Sequence, residues 1–300
     1  MNDLILRTLI YFLIVFGICL IINLLISIRE KKTDAWARTL GWVIVIPAFT
    51  ISAYFGGVVF LIAVMLLVSI GAEEFYFLAE RSRIRPFKIT GTAFSVLLPL
   101  IAFLGGSEAF HVAAVLLALT ILALPIYKRQ IKKDLTTDIQ ASSITILGIL
   151  YVGWTSGYLI LIRNMPSGFN FILFFYLLII ANDVSSYYFG KLFGKTKIFQ
   201  FISPGKSLQG ALGGLVATIG AAYLLSYLPP VKEFRYVLLL GVLISISGQL
   251  GDMVESSLKR EAGIKDAGGL LPGFGGILDR FDSLIYASPL VYLFLVLITS

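Results

Sequence analysis

The chain has 300 residues, of which 58% are hydrophobic and only 14% are charged. A soluble protein of this length needs a more polar surface, so the composition excludes a water-soluble globular domain and predicts an all-α polytopic membrane protein. The 24 Lys and Arg against 17 Asp and Glu give a net charge of +7, and the single Cys excludes an intramolecular disulfide.

Apolar runs long enough to cross a bilayer, about 17–24 residues each, predict about ten transmembrane helices in one bundle. The first is an extra N-terminal helix in residues 1–28, and residues 29–300 form a single membrane domain whose catalytic part covers about 180–288. The second and third spans are interpreted as a hairpin broken at Gly56-Gly57. The predicted spans are 4–27, 39–55, 58–79, 90–106, 109–127, 139–162, 169–189, 208–228, 236–257 and 281–299.

The basic residues predict the orientation of these spans. If the chain alternates sides, one side receives five loops of four Lys or Arg each, and the other side receives only Arg7, Arg163, Lys232 and Arg235. The positive-inside rule places the five basic loops in the cytoplasm and both termini outside the cell membrane. The basic face suits anionic headgroups and nucleotides, although such loops are often only topology signals.

Two polar features interrupt the first half of the chain. Glu73 and Glu74 lie near the cytoplasmic end of the third span, where an ion pair with Arg81 or Arg85 and a functional role both remain open. His111, the only histidine, lies near the outer end of the fifth span and is interpreted as an interface residue. Ser/His/Asp and Cys/His nucleophile systems are therefore excluded near the basic face.

Residues 182–210 carry polar groups at the cytoplasmic end of the seventh span and in the loop after it. The candidates for substrate binding here are Asp183, Lys191, Ser203 and Lys206. The triplet Gly205-Lys206-Ser207 resembles the end of a P-loop, but Gln200 stands where that motif needs its first glycine and no strand is predicted before it. A P-loop is therefore excluded.

The most informative segment runs from Gly251 to Ser283 and reads GDMVESSLKREAGIKDAGGLLPGFGGILDRFDS. An ionisable side chain at membrane depth costs roughly 2.5–3.5 kcal/mol, so a functional site is the default interpretation of so many charges there. Helical spacing places Asp252 and Lys259 on one face of the ninth helix, and Asp279 and Asp282 on one face of the tenth. A helix dipole explains carboxylates at the start of a helix but not at the end of the preceding one.

The loop between these helices can bring Asp252, Asp279 and Asp282 together. Oxygen ligands without His or Cys suit Mg²⁺, which binds one or two carboxylates together with substrate phosphates. Glycines such as Gly275 and Gly276 let backbone N–H groups approach phosphate oxygens, and basic side chains neutralise phosphate charge. The basic residues beside the glycines are Lys259, Arg260, Lys265 and Arg280.

Metal, basic groups and a glycine-rich loop without histidine favour phosphoryl or nucleotidyl transfer. A phosphate nucleophile is already charged near neutral pH and needs no general base. The residues therefore predict a membrane enzyme that joins a nucleotide to a lipid phosphate, with no nucleic-acid partner.

The motifs in this segment resemble those of the phosphatidate cytidylyltransferase (CDP-diacylglycerol synthase) family. The family pattern is S-x-hydrophobic-K-R, four residues, K-D, then a Gly/Pro loop ending in G-G-hydrophobic-x-D-R-hydrophobic-D, and residues Ser256 to Asp282 match it. The segments Ser203–Gly210 and Asp183–Lys191 also look like family motifs.

The resemblance implies transfer of a cytidylyl group from CTP to phosphatidate, giving CDP-diacylglycerol and pyrophosphate, with Mg²⁺. It also suggests a second, monovalent cation and a homodimer. By the same resemblance Asp252, Asp279 and Asp282 are metal ligands, and Asp252, Asp279, Lys259 and Arg260 are catalytic. The implied substrate-binding residues are Asp183, Lys191, Ser203, Lys206, Ser256, Lys265, Asp266, Gly275, Gly276 and Arg280.

The chain departs from the family at Phe274, where the family loop carries a His. A phenylalanine neither donates a hydrogen bond to phosphate nor carries charge, so any role of that His is lost. Two alternatives stay open: a CTP-dependent polyprenol kinase, which shares a related core and would release CDP, and an inactive or transporting homologue of the same fold.

Overall fold

The computed structural model describes residues 33–132, 138–231, 233–264 and 276–299. Within these ranges the chain is helical without strands, apart from an isolated bridge between Lys197 and Ser207, so the predicted all-α class is confirmed. The helices are α1 Thr33–Phe55, α2 Gly57–Arg81, α3 Lys88–Lys132, α4 Asp138–Gly148, the π-helical turn π1 Ile149–Trp154, α5 Thr155–Asn164, α6 Gly168–Phe193, α7 Leu208–Leu224, α8 Phe234–Glu261 and α9 Leu278–Thr299. The predicted first span, 4–27, lies outside the described residues.

Six segments of the described chain are long and apolar enough to cross a membrane, and α1 and α7 add shorter apolar stretches. Helix α3 has 45 residues. At 1.5 Å per residue it is about 68 Å long, more than twice the bilayer core of about 30 Å. Gly106 leaves helical geometry with a φ of 68°, where the predicted spans 90–106 and 109–127 meet. The chain is a multi-pass membrane protein, while the count of ten spans stays a prediction.

The predicted break at Gly56-Gly57 is confirmed. Helix α1 ends at Phe55, α2 begins at Gly57, and Gly56 has a φ of 64°, which favours glycine. Arg163, at the end of α5, donates from Nε to the carbonyl oxygen of Ala53 at 2.6 Å. This bond satisfies a carbonyl that the end of α1 leaves without a helical partner.

Helix α6 lies at the centre of the bundle. Every residue from Phe171 to Ile179 is buried, which explains an apolar run with no polar face. Its C-terminal half packs closely on α7, because a Cβ at Gly210 would lie 2.7 Å from the backbone oxygen of Ser186. A Cβ at Gly214 would lie 2.9 Å from Asn182 Oδ1, so Asp183 lies in the part of α6 that packs on α7.

Helices α8 and α9 meet in a second close crossing. A Cβ at Gly251 would lie 2.7 Å from the carbonyl oxygen of Asp282, so the two backbones touch where the acidic residues begin. Helix α8 continues to Glu261, beyond the predicted end at residue 257. Lys259 and Arg260 therefore lie on the last helical turn and not in a loop.

Candidate active site

The C-terminal end of α8 presents the predicted polar face. Ser256 Oγ donates to Asp252 Oδ1 at 3.3 Å, and Lys259 Nζ lies 2.5 Å from Glu255 Oε2. Glu255 is buried, so its carboxyl group needs a polar partner such as this one. The helical spacing thus places Asp252, Ser256 and Lys259 at one end of one helix, as predicted.

Lys259 joins α8 to α9. Its Nζ also lies 2.9 Å from Asp279 Oδ1, so one ammonium group bridges carboxylates on two helices. Asp279 Oδ2 in turn accepts from the backbone N–H of Gly276 at 3.3 Å. The structure therefore brings together Lys259, Asp279 and Gly276, three of the predicted site residues.

Glu74, from a distant part of the chain, caps the N-terminus of α9. Its carboxylate accepts the N–H of Ile277 at 3.0 Å and of Leu278 at 2.8 Å, in the favourable interaction of an anion with a helix N-terminus. Its neighbour Glu73 pairs with Lys88 at 2.7 Å, and neither Arg81 nor Arg85 is its partner in that bond. Glu73 is thus in an ion pair and Glu74 caps α9, while a functional role of either residue stays a prediction.

A second group of carboxylates comes from three helices. Asp183 of α6, Asp252 of α8 and Asp282 of α9 lie within electrostatic range of one another. Lys206 Nζ approaches Asp252 Oδ2 to 2.5 Å, and Asp282, only 6% exposed, accepts the N–H of Ser283. Like charges held this close need a cation, and Lys206 supplies one positive charge.

This arrangement allows a test of the magnesium prediction. Among the described residues, no three His, Cys, Asp or Glu side chains are close enough to hold one ion. The ammonium groups of Lys206 and Lys259 lie against Asp252 and Asp279. The donor set is nevertheless oxygen-only, and Mg²⁺ typically uses one or two carboxylates with the remaining positions filled by phosphate oxygens or water. The residues fit the ion, and the metal site stays a prediction.

A buried polar network that the sequence analysis missed supports Asp183. Asn182 Nδ2 donates to Asp183 Oδ1 at 3.2 Å, while Asn182 Oδ1 accepts from Ser245 Oγ at 2.7 Å and from Gln249 Nε2 at 3.1 Å. Gln249 also donates to the carbonyl of Ala211 at 3.2 Å. Helices α6, α7 and α8 are therefore linked by hydrogen bonds next to the charged end of the bundle, where Asp183, Asp252 and Asp282 lie. The only sequence signal for this network is the presence of Asn182, Ser245 and Gln249 within apolar runs.

A second missed residue is Tyr151, on the π-helical turn. Single π-helical turns are rare and are frequently found at functional sites. The Tyr151 hydroxyl lies in the electrostatic range of Asp282, Glu255 and Asp252, and its ring lies 6.0 Å from that of Phe75. Within the described ranges this buried hydroxyl has no hydrogen-bond partner.

The loop between α6 and α7 holds the remaining described candidates. Ser207 Oγ caps α7 by accepting the N–H of Gly210, which explains the Gly205-Lys206-Ser207 sequence without a P-loop. Arg260 Nε donates to the carbonyl of Ile202 at 2.9 Å. Lys191 Nζ lies 5.9 Å from the ring centroid of Tyr187.

The remaining candidates are Ser203, Arg280 and those that lie outside the described residues. Ser203 donates its backbone N–H to Phe199 O, and Arg280 is half-buried on the first turn of α9. Lys265, Asp266, Gly275 and Phe274 lie outside the described residues.

Comparison with known proteins indicates the family of the chain. The model of the cytidylyltransferase family matches residues 36–298. The phosphatidate cytidylyltransferase of Bacillus subtilis (strain 168) is 39% identical over 186 residues, which are 61% of this chain and 66% of that protein. The protein of the same name from Staphylococcus haemolyticus (strain JCSC1435) is 31% identical over 261 residues, which are 86% of this chain and 98% of that protein. Taken with the helical fold, these matches show that the chain belongs to the cytidylyltransferase family.

Proposed function

We propose that this protein is a membrane-bound phosphatidate cytidylyltransferase, an enzyme of phospholipid biosynthesis. It transfers the cytidylyl group of CTP to phosphatidate and yields CDP-diacylglycerol and pyrophosphate. The single observation that carries this proposal is the meeting of lysine-paired aspartates from α8 and α9 at one end of the bundle, in a chain whose relatives are named for this reaction.

The reaction is a substitution at the α-phosphorus of CTP. An oxygen of the phosphatidate phosphate forms the new P–O bond, and the bond from the α-phosphorus to the bridging oxygen breaks. Pyrophosphate leaves with that electron pair. A phosphate monoester is largely doubly ionised near neutral pH, so the nucleophile needs no histidine. Catalysis then depends on positioning and on neutralising charge.

The lysines supply that neutralisation. Lys206 and Lys259 lie against aspartates, and arriving phosphates compete with these carboxylates, the triphosphate for Lys259 and the lipid phosphate for Lys206. Arg260, exposed on the last turn of α8, is placed to bind a phosphate from the same end. Asp279 holds Lys259 and the Gly276 N–H in place for this exchange.

Magnesium would be held by Asp252 and Asp282, whereas Asp279, the third predicted ligand, pairs with Lys259. When bound, it supplies positive charge to the triphosphate and to the leaving pyrophosphate. We also infer a site facing the cytoplasm, extracytoplasmic termini and a homodimer, with room for a second, monovalent cation.

The test is a pyrophosphate-release assay on purified protein with CTP, Mg²⁺ and a panel of lipid phosphates. We expect pyrophosphate and CDP-diacylglycerol with phosphatidate, and Asp279→Asn should abolish both while the protein still elutes as a folded species. Chromatography of the nucleotide product separates the alternatives, because a lipid kinase would release CDP. Absence of turnover with every lipid phosphate would leave the inactive or transporting homologue.

A further inference from the structure

The loop between α6 and α7, residues 194–207, exposes large apolar side chains beside the candidate site. Phe201 is 95% exposed, and Phe199 and Ile198 are also exposed. These side chains line a shallow depression with Lys197, Gln200 and Ile202. An aromatic side chain left so fully in water is unfavourable, so the surface needs an apolar neighbour.

Hydrogen bonds at both ends fix the backbone of the loop that carries Phe201. Gln209 Oε1 accepts the backbone N–H groups of Lys195 and Thr196 at 3.1 Å each, and the Leu208 N–H donates to Thr196 O at 2.9 Å. Lys197 Nζ donates to Gly205 O at 3.1 Å. The loop therefore presents Phe201 outward in a defined position.

The positive charge of the loop and the extent of its apolar surface indicate what covers it. Residues 184–232 contain no Asp or Glu, and four lysines lie within or next to the loop, namely Lys191, Lys195, Lys197 and Lys206. The apolar surface continues onto both neighbouring helices through the exposed Leu192, Phe193 and Leu208. Exposed aromatics among lysines at the end of membrane helices fit the headgroup layer of a membrane rich in anionic lipids.

We propose that residues 194–207 form an interfacial anchor that inserts Phe201 into an anionic headgroup layer and delivers the anionic acceptor lipid to Lys206. The delivery role rests on the proposed function, whereas the anchor itself does not. Lys206 stands at the C-terminal end of the loop and pairs with Asp252. Arg260 is bonded to Ile202 in the same loop. Docking of the loop on lipid thus sets the position of basic groups on both sides of the site.

The anchor is tested without reference to activity. A fluorescent thiol probe is attached to Phe201→Cys in the full chain carrying Cys19→Ser, which removes the only native cysteine. The protein is reconstituted in phosphatidylcholine vesicles with and without phosphatidylglycerol. Leu212→Cys, exposed on α7, is the lipid-facing reference, and Glu261→Cys, exposed at the end of α8, is the water-facing reference.

We expect nitroxide-labelled lipids to quench the probe at position 201 nearly as well as at position 212, and iodide to quench it poorly. Phosphatidylglycerol should increase the quenching by nitroxide-labelled lipids and decrease the quenching by iodide. Quenching by iodide at the level of position 261 would overturn the anchor. So would protection from both quenchers, because a second copy or another protein would then cover the loop.

The delivery role is tested by the kinetics of Phe201→Ser, with Phe201→Trp as the conservative variant. We expect the KM for phosphatidate in mixed micelles to rise about tenfold in Phe201→Ser, the partition change that corresponds to burial of one aromatic side chain. The KM for CTP and kcat at saturating lipid should stay unchanged, and Phe201→Trp should restore the lipid KM. If the wild type is active and Phe201→Ser has the same KM for phosphatidate, the delivery role is overturned and the anchor is not. A wild type that releases no pyrophosphate would overturn the proposed function and the delivery role, while the probe still decides the anchor.

Discussion

Tyr151 brings a hydroxyl group to the carboxylates of Asp252, Glu255 and Asp282 from a part of the chain without charged residues. Its side chain is 8% exposed, and no described residue accepts or donates a hydrogen bond to its hydroxyl. An unpaired buried hydroxyl costs about 1–3 kcal/mol. Such a cost is maintained where function needs the group, so we infer that the hydroxyl finds its partner when substrate enters the site.

Replacement of Tyr151 by Phe separates this role from packing, because the ring against Phe75 is retained. We expect pyrophosphate release to fall about tenfold to a hundredfold, the effect of one lost hydrogen bond to a charged group. The melting temperature should stay the same or rise, since an unpaired buried group is removed.

The matched control is Tyr158→Phe. The hydroxyl of Tyr158 lies 2.8 Å from His111 Nε2, at a distance from the charged end. This variant should lose stability and keep its turnover. Wild-type turnover in Tyr151→Phe would contradict the inference.

The sequence predicts which charged residues gather, but not which partner each one takes. Asp252 and Lys259 follow from helical spacing because four or seven residues along a helix return to one face. The bond of Lys259 to Asp279 and that of Lys206 to Asp252 depend on how three helices cross, which spacing along one helix does not contain. Asn182 is missed for a related reason. An amide surrounded by apolar residues looks the same in sequence whether or not another helix supplies its partners.

At the scale of elements, the start of α9 depends on a helix about two hundred positions earlier. The Glu74 carboxylate is 5% exposed and accepts two of the N–H groups that the first turn of α9 leaves without helical partners. A Cβ at Gly276 would lie 2.8 Å from Glu74 Oε2, so a larger residue there would have to shift the carboxylate that caps α9. Because α9 carries Asp279 and Asp282, this cap also positions the acidic residues of the site.

Adjacent substitutions on α2 test the cap. Glu74→Gln loses the charge that the helix N-terminus favours and turns an amide N–H₂ toward donors, so we expect the free energy of unfolding to fall by about 1–3 kcal/mol. Pyrophosphate release should fall with it, because Asp279 loses its fixed position. Glu73→Gln is the control: its ion pair with Lys88 is partly exposed, which limits its contribution to about 1 kcal/mol or less. Thermal unfolding in one detergent compares the two, and equal losses would show that Glu74 is not a special cap.

Element type and approximate bounds could be predicted from the chain, because apolar runs of membrane length leave few options. The exact ends could not. Helix α8 runs past its apolar stretch to Glu261, since Glu255 and Lys259 pair along its own last turns and keep the polar end helical. The π-helical turn at Ile149–Trp154 leaves no trace in the hydropathy of its span. It widens one turn within an apolar run without changing composition.

For the whole molecule, the decisive question is how often α3 crosses the bilayer. Its 45 residues are interrupted at Gly106, and a straight helix of that length would extend about 38 Å beyond the hydrocarbon core. Two crossings place Glu80, before α3, and Asn164, after α5, on opposite sides of the membrane, because three crossings then separate them. One crossing of α3 would place both residues on the same side. The ten-span count requires two crossings of α3, and the charged end lies on the same side as Glu80, because Glu74 on α2 caps α9.

Single cysteines at these two exposed positions measure the parity directly. In a Cys19→Ser chain, a membrane-impermeant thiol reagent added to intact cells should label Asn164→Cys and should reach Glu80→Cys only after lysis. This result would place the basic loop after α2 in the cytoplasm, as the positive-inside rule predicts. Each variant must retain pyrophosphate release, so that labelling reports a folded chain. Labelling of both positions from outside, or of neither, would mean that α3 crosses only once. Labelling of Glu80→Cys alone would invert the bundle and move the candidate site away from the cytoplasmic nucleotide pool.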